Sequence, residues 1–334
     1  MIESIEFKNF KVLRDTTLPL GPCNVLVGPN GSGKTTVLQA LEAVRDETGR
    51  CSDFLSMRVA RTQDSYAEVA LVWGDPQRGV RQFWRWRQAG GIERGTQLPE
   101  SMQTWNPAAE YAIVKGLRVF SFDARAIAAP ATVTGRPELD ANGGKLAAVL
   151  DGLRDEAIER FDAINAELNR WLPEFDRILF DRPADGSKSI ALRTSEGHHK
   201  VPASALSQGT LISLAILTLA YLPEPPLVVG LEEPDRGIHP RLLRRVKDAL
   251  HRLSHPESCG EKRDPVQVIA TTHSPYFLDL FKDHPEKIVI CERVGQEVQF
   301  KRVSDLPHIE EILGDAPLGE AWYTGILGGV PSEP

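Results

Sequence analysis

The sequence predicts an α/β fold: a mostly parallel sheet with helices on both faces, interrupted by an antiparallel β lobe and a helical insertion. Three observations support this prediction. Strand-like apolar runs alternate with helical patterns in the last third of the chain. A short apolar run near the N-terminus precedes a glycine-rich turn and another helical pattern. Residues 50–200 break the alternation and therefore form the insertion.

Composition and charge indicate an ordinary globular protein. The chain has 334 residues, 41% hydrophobic and 25% charged, so it can bury a sizeable core and favours about two domains. The longest nearly apolar stretch, Leu211–Leu222, is much shorter than the ~20 residues of a membrane-spanning helix. The N-terminus shows no apolar signal segment, and none of the four cysteines lies in a CxxC pair. We therefore expect a cytoplasmic protein without a membrane partner.

Individual elements follow from the spacing of apolar residues. Ile2–Phe7 and Asn24–Val27 are predicted strands, and a helix is predicted from about Gly33 to Val44. Lys145–Leu172 has the apolar spacing of one long helix. The last third is predicted to contain helix Ser207–Leu222, strand Leu227–Gly230, helix Pro240–Leu253, strands Val266–Ala270, Ile288–Cys291 and Val298–Lys301, and an exposed loop at Glu257–Asp264.

These elements predict three segments. Residues 1–50 and 200–334 form the core with the main sheet. Residues 51–122 form the antiparallel β lobe, because Ala67–Trp73 and Val80–Arg87 both have strand periodicity and a turn between them. Residues 123–199 form the insertion of helices and short strands.

A phosphate-binding loop is predicted between the strand at Asn24–Val27 and the first helix. Gly28–Thr35 reads GPNGSGKT and fits the pattern G-x-x-x-x-G-K-[ST]. Glycines let successive backbone N–H groups point into one concavity, and the following helix adds its positive end. Lys34 can then reach the β- and γ-phosphates, while the Thr35 hydroxyl can bind Mg²⁺. The predicted binding set for ATP and Mg²⁺ is Asn30, Gly31, Ser32, Gly33, Lys34, Thr35 and Thr36.

Two adjacent carboxylates, Glu232 and Glu233, end the apolar run that begins at Leu227. Carboxylates at the end of a buried strand are costly unless they face a ligand. In a nucleotide site the first can join the magnesium shell, and the second can orient or deprotonate the attacking water. The alternative is an acidic turn before the next helix, which the phosphate loop disfavours.

Two further motifs give the chain a family resemblance. Residues 206–210, LSQGT, resemble the signature motif of ABC-type ATPases, and 268–275, VIATTHSP, resemble their switch-histidine strand. The order of phosphate loop, signature, acidic strand and histidine is that of the superfamily. More narrowly, the chain resembles ATPases related to the RecF, SMC and OLD proteins, through IEFKNFK, GPNGSGKT, LSQGT, EEPDRGIHP, THSPYFLD and the tail from Leu318. The resemblance implies a P-loop fold of the ABC-ATPase head type.

The resemblance also implies roles for single residues. In that family two heads sandwich two ATP molecules, so the chain is expected to form a homodimer or a higher oligomer through its ATP sites. Glu232 takes the metal-site position, Glu233 the catalytic position and His273 the position of the γ-phosphate sensor. Ser207 and Gly209 would contact the γ-phosphate bound to the other subunit, and the insertion at 123–199 would carry the signature-side lobe.

The sequence departs from the family pattern at several positions. The metal-site residue is Glu232 where most ABC proteins have aspartate. The resemblance implies a glutamine that contacts magnesium after the first helix. Gln63 is the candidate, and Gln77 and Gln82 are alternatives. Gln63 is equally explained as a solvated polar side chain without a role in the site. The middle of the chain lacks a long heptad array, which disfavours a coiled-coil arm of the SMC kind. Residues 285–334 show no acidic cluster of a TOPRIM nuclease.

Basic and aromatic residues alternate around Trp84, Arg85, Trp86 and Arg87. Such a pattern can bind single strands, but an amphipathic edge strand with tryptophan inward and arginine outward explains it as well. The net charge of −7 argues weakly against general nucleic-acid binding.

The sequence therefore predicts a slow ATPase that acts as a dimerising switch. The family resemblance further implies that it controls a separate effector, for example a nuclease, in phage defence or DNA repair. The alternative is an ATP-gated DNA clamp or scaffold with little turnover.

Overall fold

The computed structural model describes residues 1–47, 49–55, 62–75, 78–102, 108–132, 135, 137–182, 186–315 and 317–328. Gln77, one of the alternative glutamines, lies outside these residues. The chain divides into two compact units, each described by itself. Unit 1 comprises Met1–Val119, Leu227–Leu231 and Asp264–Pro334, and unit 2 comprises Phe120–Pro226 and Glu232–Arg263.

Strands and helices alternate along the chain. The strands of the described residues are β1 (Ile2–Phe10), β2 (Leu13–Pro19), β3 (Cys23–Val27), β4 (Tyr66–Trp73), β5 (Arg81–Arg87), β6 (Ile92–Gln97), β7 (Leu117–Phe120), β8 (Phe175–Asp181), β9 (Ser189–Thr194), β10 (Lys200–Pro202), β11 (Val228–Leu231), β12 (Gln267–Thr272), β13 (Ile288–Val294) and β14 (Glu297–Arg302). The helices are α1 (Lys34–Asp46), α2 (Cys51–Phe54), α3 (Ala108–Lys115), α4 (Ala124–Ala128), α5 (Leu146–Glu156), α6 (Ile158–Trp171), α7 (Gln208–Tyr221), α8 (Leu243–Ser254), α9 (Pro275–Asp279), α10 (Ile309–Asp315) and α11 (Leu318–Tyr323).

The first sheet of unit 1 is antiparallel, with the order β2-β1-β4-β5-β6. One face packs into the core because alternate residues point to the same side of a strand. On β5 this buries Trp84 and Trp86, while Arg85 and Arg87 lie on the other face. The predicted arrangement, with tryptophan inward and arginine outward, is therefore present. The prediction that this segment is an edge strand is wrong, because β5 pairs with both β4 and β6.

The second sheet has the order β14-β13-β3-β12-β11-β7. Strands β13, β3, β12 and β11 pair in parallel, and β14 returns antiparallel to β13. All residues of β3 and β12 are buried, as expected for central parallel strands. The predicted α/β class with a mostly parallel sheet is confirmed. Because parallel strands end at the same edge, the residues that follow β3 and β12 lie at neighbouring strand ends.

Unit 2 contains the helices from α4 to α8 and a small antiparallel sheet in the order β10-β9-β8. The apolar helix α7 is buried from Thr210 to Tyr221, as its sequence predicts. Among the described residues, no helix has the length and apolar character needed to cross a membrane.

The prediction of one continuous helix over Lys145–Leu172 is wrong. The chain leaves the helical conformation at Ala157, where φ is −143° and ψ is 59°, so α5 ends and α6 begins there. Ile158 is 52% exposed, although its spacing predicts a position on the apolar face of the helix. Neither proline nor glycine marks the break.

The exposed loop predicted at Glu257–Asp264 is also wrong at its centre. Glu261 is 7% exposed and accepts hydrogen bonds from Arg160 at 2.6 Å and Arg263 at 2.6 Å. A third guanidinium, that of Arg252, also contacts this carboxylate. The loop is therefore fastened to α6 and α8 through one buried acid.

Candidate nucleotide-binding site

The phosphate loop connects the buried end of β3 to the start of α1 in unit 1. The Lys34 ammonium donates to the backbone carbonyl oxygens of Gly28 at 2.7 Å and Pro29 at 2.9 Å. Its side chain curls back over the loop, and the residue is only 5% exposed. A cation held among carbonyl oxygens at a helix N-terminus is placed to meet an anion.

Glycine is required at two positions of this loop. A Cβ at Gly28 would lie 2.2 Å from the Cys291 carbonyl oxygen, so the loop packs directly on β13. Gly33 has a φ of 97°, a left-handed conformation that glycine adopts without strain. Burial raises the pKa of the Cys291 thiol to about 12, although the charge of Lys34 lowers it. The thiol beneath the loop is therefore neutral.

The remaining residues predicted for the phosphate loop surround this lysine in the chain. Ser32 is buried and its amide donates to the Pro29 carbonyl at 3.2 Å. Asn30, Gly31 and Thr35 are exposed, and Thr36 is half-buried. Thr35 belongs to the first turn of α1, which contains no acidic side chain. No carboxylate of this turn would therefore repel a negative ligand at the helix N-terminus.

His273 follows β12, the strand beside β3. Thr272 pairs in register with Val27, so His273 and Gly28 are the next residues along two neighbouring parallel strands. The Ser274 amide donates to Thr272 Oγ1 at 3.0 Å, and Ser274 Oγ accepts from the Phe277 amide at 3.2 Å. These bonds fix the backbone on both sides of the half-buried histidine. Unit 1 therefore brings the phosphate loop and His273 to the same sheet edge.

The acidic segment follows β11 in the chain and belongs to unit 2. The Glu232 amide donates to the Phe120 carbonyl at 2.8 Å. Glu233 has a φ of 43°, which is left-handed for a residue that carries a side chain. Such strain persists where the surroundings impose it, and it concentrates at functional sites. Glu233 also lies 4.0 Å from the Arg236 guanidinium.

The signature residues begin α7 in the same unit. Ser207 is the N-cap: its Oγ accepts from the Thr210 amide at 3.1 Å and lies 2.8 Å from the Thr210 hydroxyl. Ser207 and Gln208 are exposed. A Cβ at Gly209 would lie 2.5 Å from the carbonyl oxygen of Gly237, in the loop that follows Glu233. Sequence reasoning missed Gly237, although its position in EEPDRGIHP was a signal for a tight turn; its φ is 74°.

Comparison with known families decides the affiliation of the chain. Residues 100–279, more than half of the chain, match a family model described as "AAA domain, putative AbiEii toxin, Type IV TA system". Residues 1–70 match a second model, "AAA ATPase domain". The chain belongs to this AAA-domain family.

Relatives of this AAA-domain protein agree with the motifs. It is 23% identical over 374 aligned positions to an OLD nuclease of Thermus scotoductus, an alignment that covers 97% of this chain and 69% of the relative. The structure is similar to an SMC head bound to the C-terminal winged-helix domain of ScpA, with a TM-score of 0.62, 17% identity and coverage of 90% and 96% of the two chains. It is also similar to an SMC head from Thermotoga maritima, with a TM-score of 0.52, 17% identity and coverage of 90% and 98%. The predicted resemblance to OLD and SMC proteins and the predicted P-loop head fold are confirmed.

The residues present fit a nucleotide with Mg²⁺. The loop packs so closely at Gly28 that a side chain would collide with β13, and it holds a cation over its own carbonyls. The described residues contain no group of three His, Cys, Asp or Glu side chains arranged to hold a metal by themselves. Mg²⁺ usually takes one or two protein ligands and completes its shell with phosphate oxygens and water. In unit 1, the Thr35 hydroxyl would be one such ligand.

The candidate glutamine and the arginine-rich strand lie away from these residues in the chain. Gln63 is exposed in a turn before β4, and its magnesium role stays a prediction. Gln82 on β5 accepts a hydrogen bond from Trp73 Nε1 at 3.0 Å. Arg81 and Arg85 both contact the buried Glu68, at 2.7 Å and 2.5 Å.

Proposed function

We propose that this protein is an ATPase that hydrolyses ATP slowly and forms a homodimer around two Mg-ATP molecules. The phosphate loop supports the proposal most directly, because Lys34 is held over carbonyl oxygens at the start of a helix free of acidic residues in its first turn. The AAA-domain match and the ordered motifs point the same way.

Each sequence motif has a proposed role. Lys34 and its loop bind the triphosphate, Thr35 contributes a magnesium ligand, and His273 senses the γ-phosphate. As the family resemblance implies, Glu232 would supply a further magnesium ligand and Glu233 would orient the attacking water. Bound Mg²⁺ would neutralise developing negative charge on the phosphate oxygens. Each proposed role uses a polar atom at a strand or helix end.

Dimerisation is proposed from the signature segment. Ser207 and Gln208 are exposed, and the N-terminal end of α7 offers N–H groups to an anion. In the proposed dimer this end of one protomer contacts the γ-phosphate held by its partner. Hydrolysis removes that anion, so the two protomers separate. The switch would therefore be closed by ATP and opened by turnover.

The proposed output is control of a separate effector. A similar SMC head is bound to a domain of ScpA, and the curated relative is an OLD nuclease. The matching family description names a type IV toxin–antitoxin system. We therefore propose a partner protein, with a nuclease as the first candidate, and a role in phage defence or DNA repair.

The experiment is steady-state turnover with Mg-ATP for the wild type, Lys34→Ala and Glu233→Gln. We expect wild-type hydrolysis, loss of both binding and turnover in Lys34→Ala, and binding without turnover in Glu233→Gln. Wild-type protein that binds ATP and releases no phosphate would overturn the hydrolytic function. An ATP-gated DNA clamp would then be the better account, and salt-sensitive DNA binding that requires ATP would support it.

A further inference from the structure

Helix α11 contacts both ends of α9. A Cβ at Gly319 would lie 2.3 Å from the carbonyl oxygen of Pro275, the first residue of α9. The Gly319 amide donates to Asp279 Oδ1, at the other end of α9, at 2.7 Å. One residue of α11 therefore touches the backbone at the start of α9 and the carboxylate at its end.

Both helices are anchored in the interior of unit 1. On α9, Phe277 and Leu278 are buried, and the Phe277 ring meets that of Phe281 edge-on with centroids 5.3 Å apart. On α11, Leu318 and Trp322 are buried on the packed side. Helix α11 is therefore packed against the core of unit 1. A displacement of α11 is expected to displace α9, because close-packed interiors transmit strain.

The backbone of α9 leads directly to His273. Ser274 caps α9 through its side chain and bonds through its amide to Thr272, the last residue of β12. His273 is the single residue between those two fixed points. Its backbone is therefore set on one side by the sheet and on the other by α9.

We propose that α11 is the positioning element for His273, acting through the Gly319–Pro275 contact and the Gly319–Asp279 hydrogen bond. The inference rests on the proposed function, in which His273 meets the γ-phosphate. It adds that the C-terminal segment determines the competence of the site without touching the nucleotide. A misplacement of about 1 Å can reduce turnover about a hundredfold when it disturbs the reacting geometry.

The test compares two glycines of neighbouring C-terminal helices. Gly319→Ala forces the contact with Pro275 apart. Gly314→Ala is the matched control, because a Cβ there meets nothing within 4 Å and alanine is favoured in helices. We expect Gly319→Ala to lower kcat at least about tenfold while the Kd for ATP changes less than about threefold. Gly314→Ala keeps wild-type kcat and Kd.

A second pair of variants guards against misfolding of Gly319→Ala. Asp279→Ala removes the acceptor for the Gly319 amide, whereas Asp279→Asn keeps an oxygen acceptor of the same size. We expect kcat to fall in Asp279→Ala and to recover in Asp279→Asn. Wild-type kcat in both Gly319→Ala and Asp279→Ala overturns the proposal.

Hydrogen exchange separates this inference from the proposed function. In Gly319→Ala we expect faster amide exchange in the peptide covering 270–281 and unchanged exchange in α1. Unchanged exchange in 270–281 overturns the positioning role whether or not the wild type hydrolyses ATP. Absence of wild-type turnover together with faster exchange overturns the proposed function alone.

Discussion

Gly209, at the start of α7, lies directly against the backbone of Gly237, and a Cβ on the first would come within 2.5 Å of the carbonyl oxygen of the second. Because Gly237 lies four residues after Glu233 in the chain, this contact packs the signature segment against the loop that follows the proposed catalytic acid. Both belong to unit 2. A displacement of one segment is therefore expected to displace the other.

The first prediction concerns this contact. Gly209→Ala inserts a methyl group where backbone atoms already touch, and overpacking of this kind costs about 1–3 kcal/mol. We expect the variant to bind ATP as the wild type does and to lose the ATP-dependent dimer, as measured by sedimentation velocity. Gly152→Ala on α5 is the control, since its Cβ would make an ordinary contact of 3.6 Å with Pro137. A Gly209→Ala variant that dimerises like the wild type contradicts the prediction.

The second prediction concerns the phosphate loop. The Lys34 ammonium, which here donates to the carbonyl oxygens of Gly28 and Pro29, is the group proposed to bind the phosphates. Because Lys34→Ala removes this charge, ATP affinity should fall at least about a hundredfold. Isothermal titration with Mg-ATP measures this loss, and the exposed Lys282→Ala provides the control in the same unit. Equal affinity in Lys34→Ala and Lys282→Ala would place the nucleotide elsewhere.

The third prediction uses pH. Burial alone would raise the pKa of Glu261, but hydrogen bonds from Arg160 and Arg263 and the charge of Arg252 outweigh it and hold this pKa below its ordinary value. A depressed folded-state pKa stabilises the protein above the unfolded-state pKa, and this stabilisation disappears as pH falls through the folded-state value. Glu261→Gln leaves three guanidinium groups without their shared anion and should cost roughly 3 kcal/mol at pH 7.

Urea unfolding at pH 7 and at stepwise lower pH tests this expectation. The difference in the free energy of unfolding between wild type and Glu261→Gln should be constant above about pH 4.5 and should decrease below it. Glu257→Gln, at an exposed position of the same loop, should show no gap. A gap that widens on acidification would mean that the carboxylate does not stabilise the fold in its charged form.

The fourth prediction concerns the arginines of β5. Glu68 is 2% exposed and meets Arg81 and Arg85, while Arg85 and Arg87 also meet Glu93. Arg85→Ala should therefore lower the free energy of unfolding by about 1–3 kcal/mol, because it weakens the pairing of a buried carboxylate.

DNA binding discriminates between the two interpretations of these arginines. We expect any DNA affinity measured with ATP to be the same in Arg85→Ala and in wild type. Arg78→Ala, at an exposed position before β5, is the control for a general loss of positive charge. A selective loss of affinity in Arg85→Ala would instead favour the DNA-clamp hypothesis.

The parts of the site that the sequence predicts are those encoded by short motifs. The strand–loop–helix around Lys34 and the capped start of α7 at Ser207 form as local patterns indicate, because glycines, a cap and apolar runs act over a few residues. The mostly parallel sheet follows from the alternation of strands and helices. These features require no knowledge of distant partners.

The features that sequence reasoning missed depend on residues far apart in the chain. Glu261 is buried and accepts a hydrogen bond from Arg160, which lies 101 positions earlier in the chain. The break at Ala157, between α5 and α6, has neither proline nor glycine as a local signal. The contact of Gly319 with Pro275 likewise joins two segments that only the fold brings together. The proposed boundaries at 51–122 and 123–199 remain a prediction.

The most direct measurement is sedimentation velocity of Glu233→Gln with Mg-ATP, because this variant should hold ATP without hydrolysing it. We predict a dimer in Mg-ATP, a monomer without nucleotide, and a monomer in Mg-ATP when Ser207→Arg is added. A Glu233→Gln protein that is saturated with ATP and stays monomeric at high concentration would contradict the shared-site account.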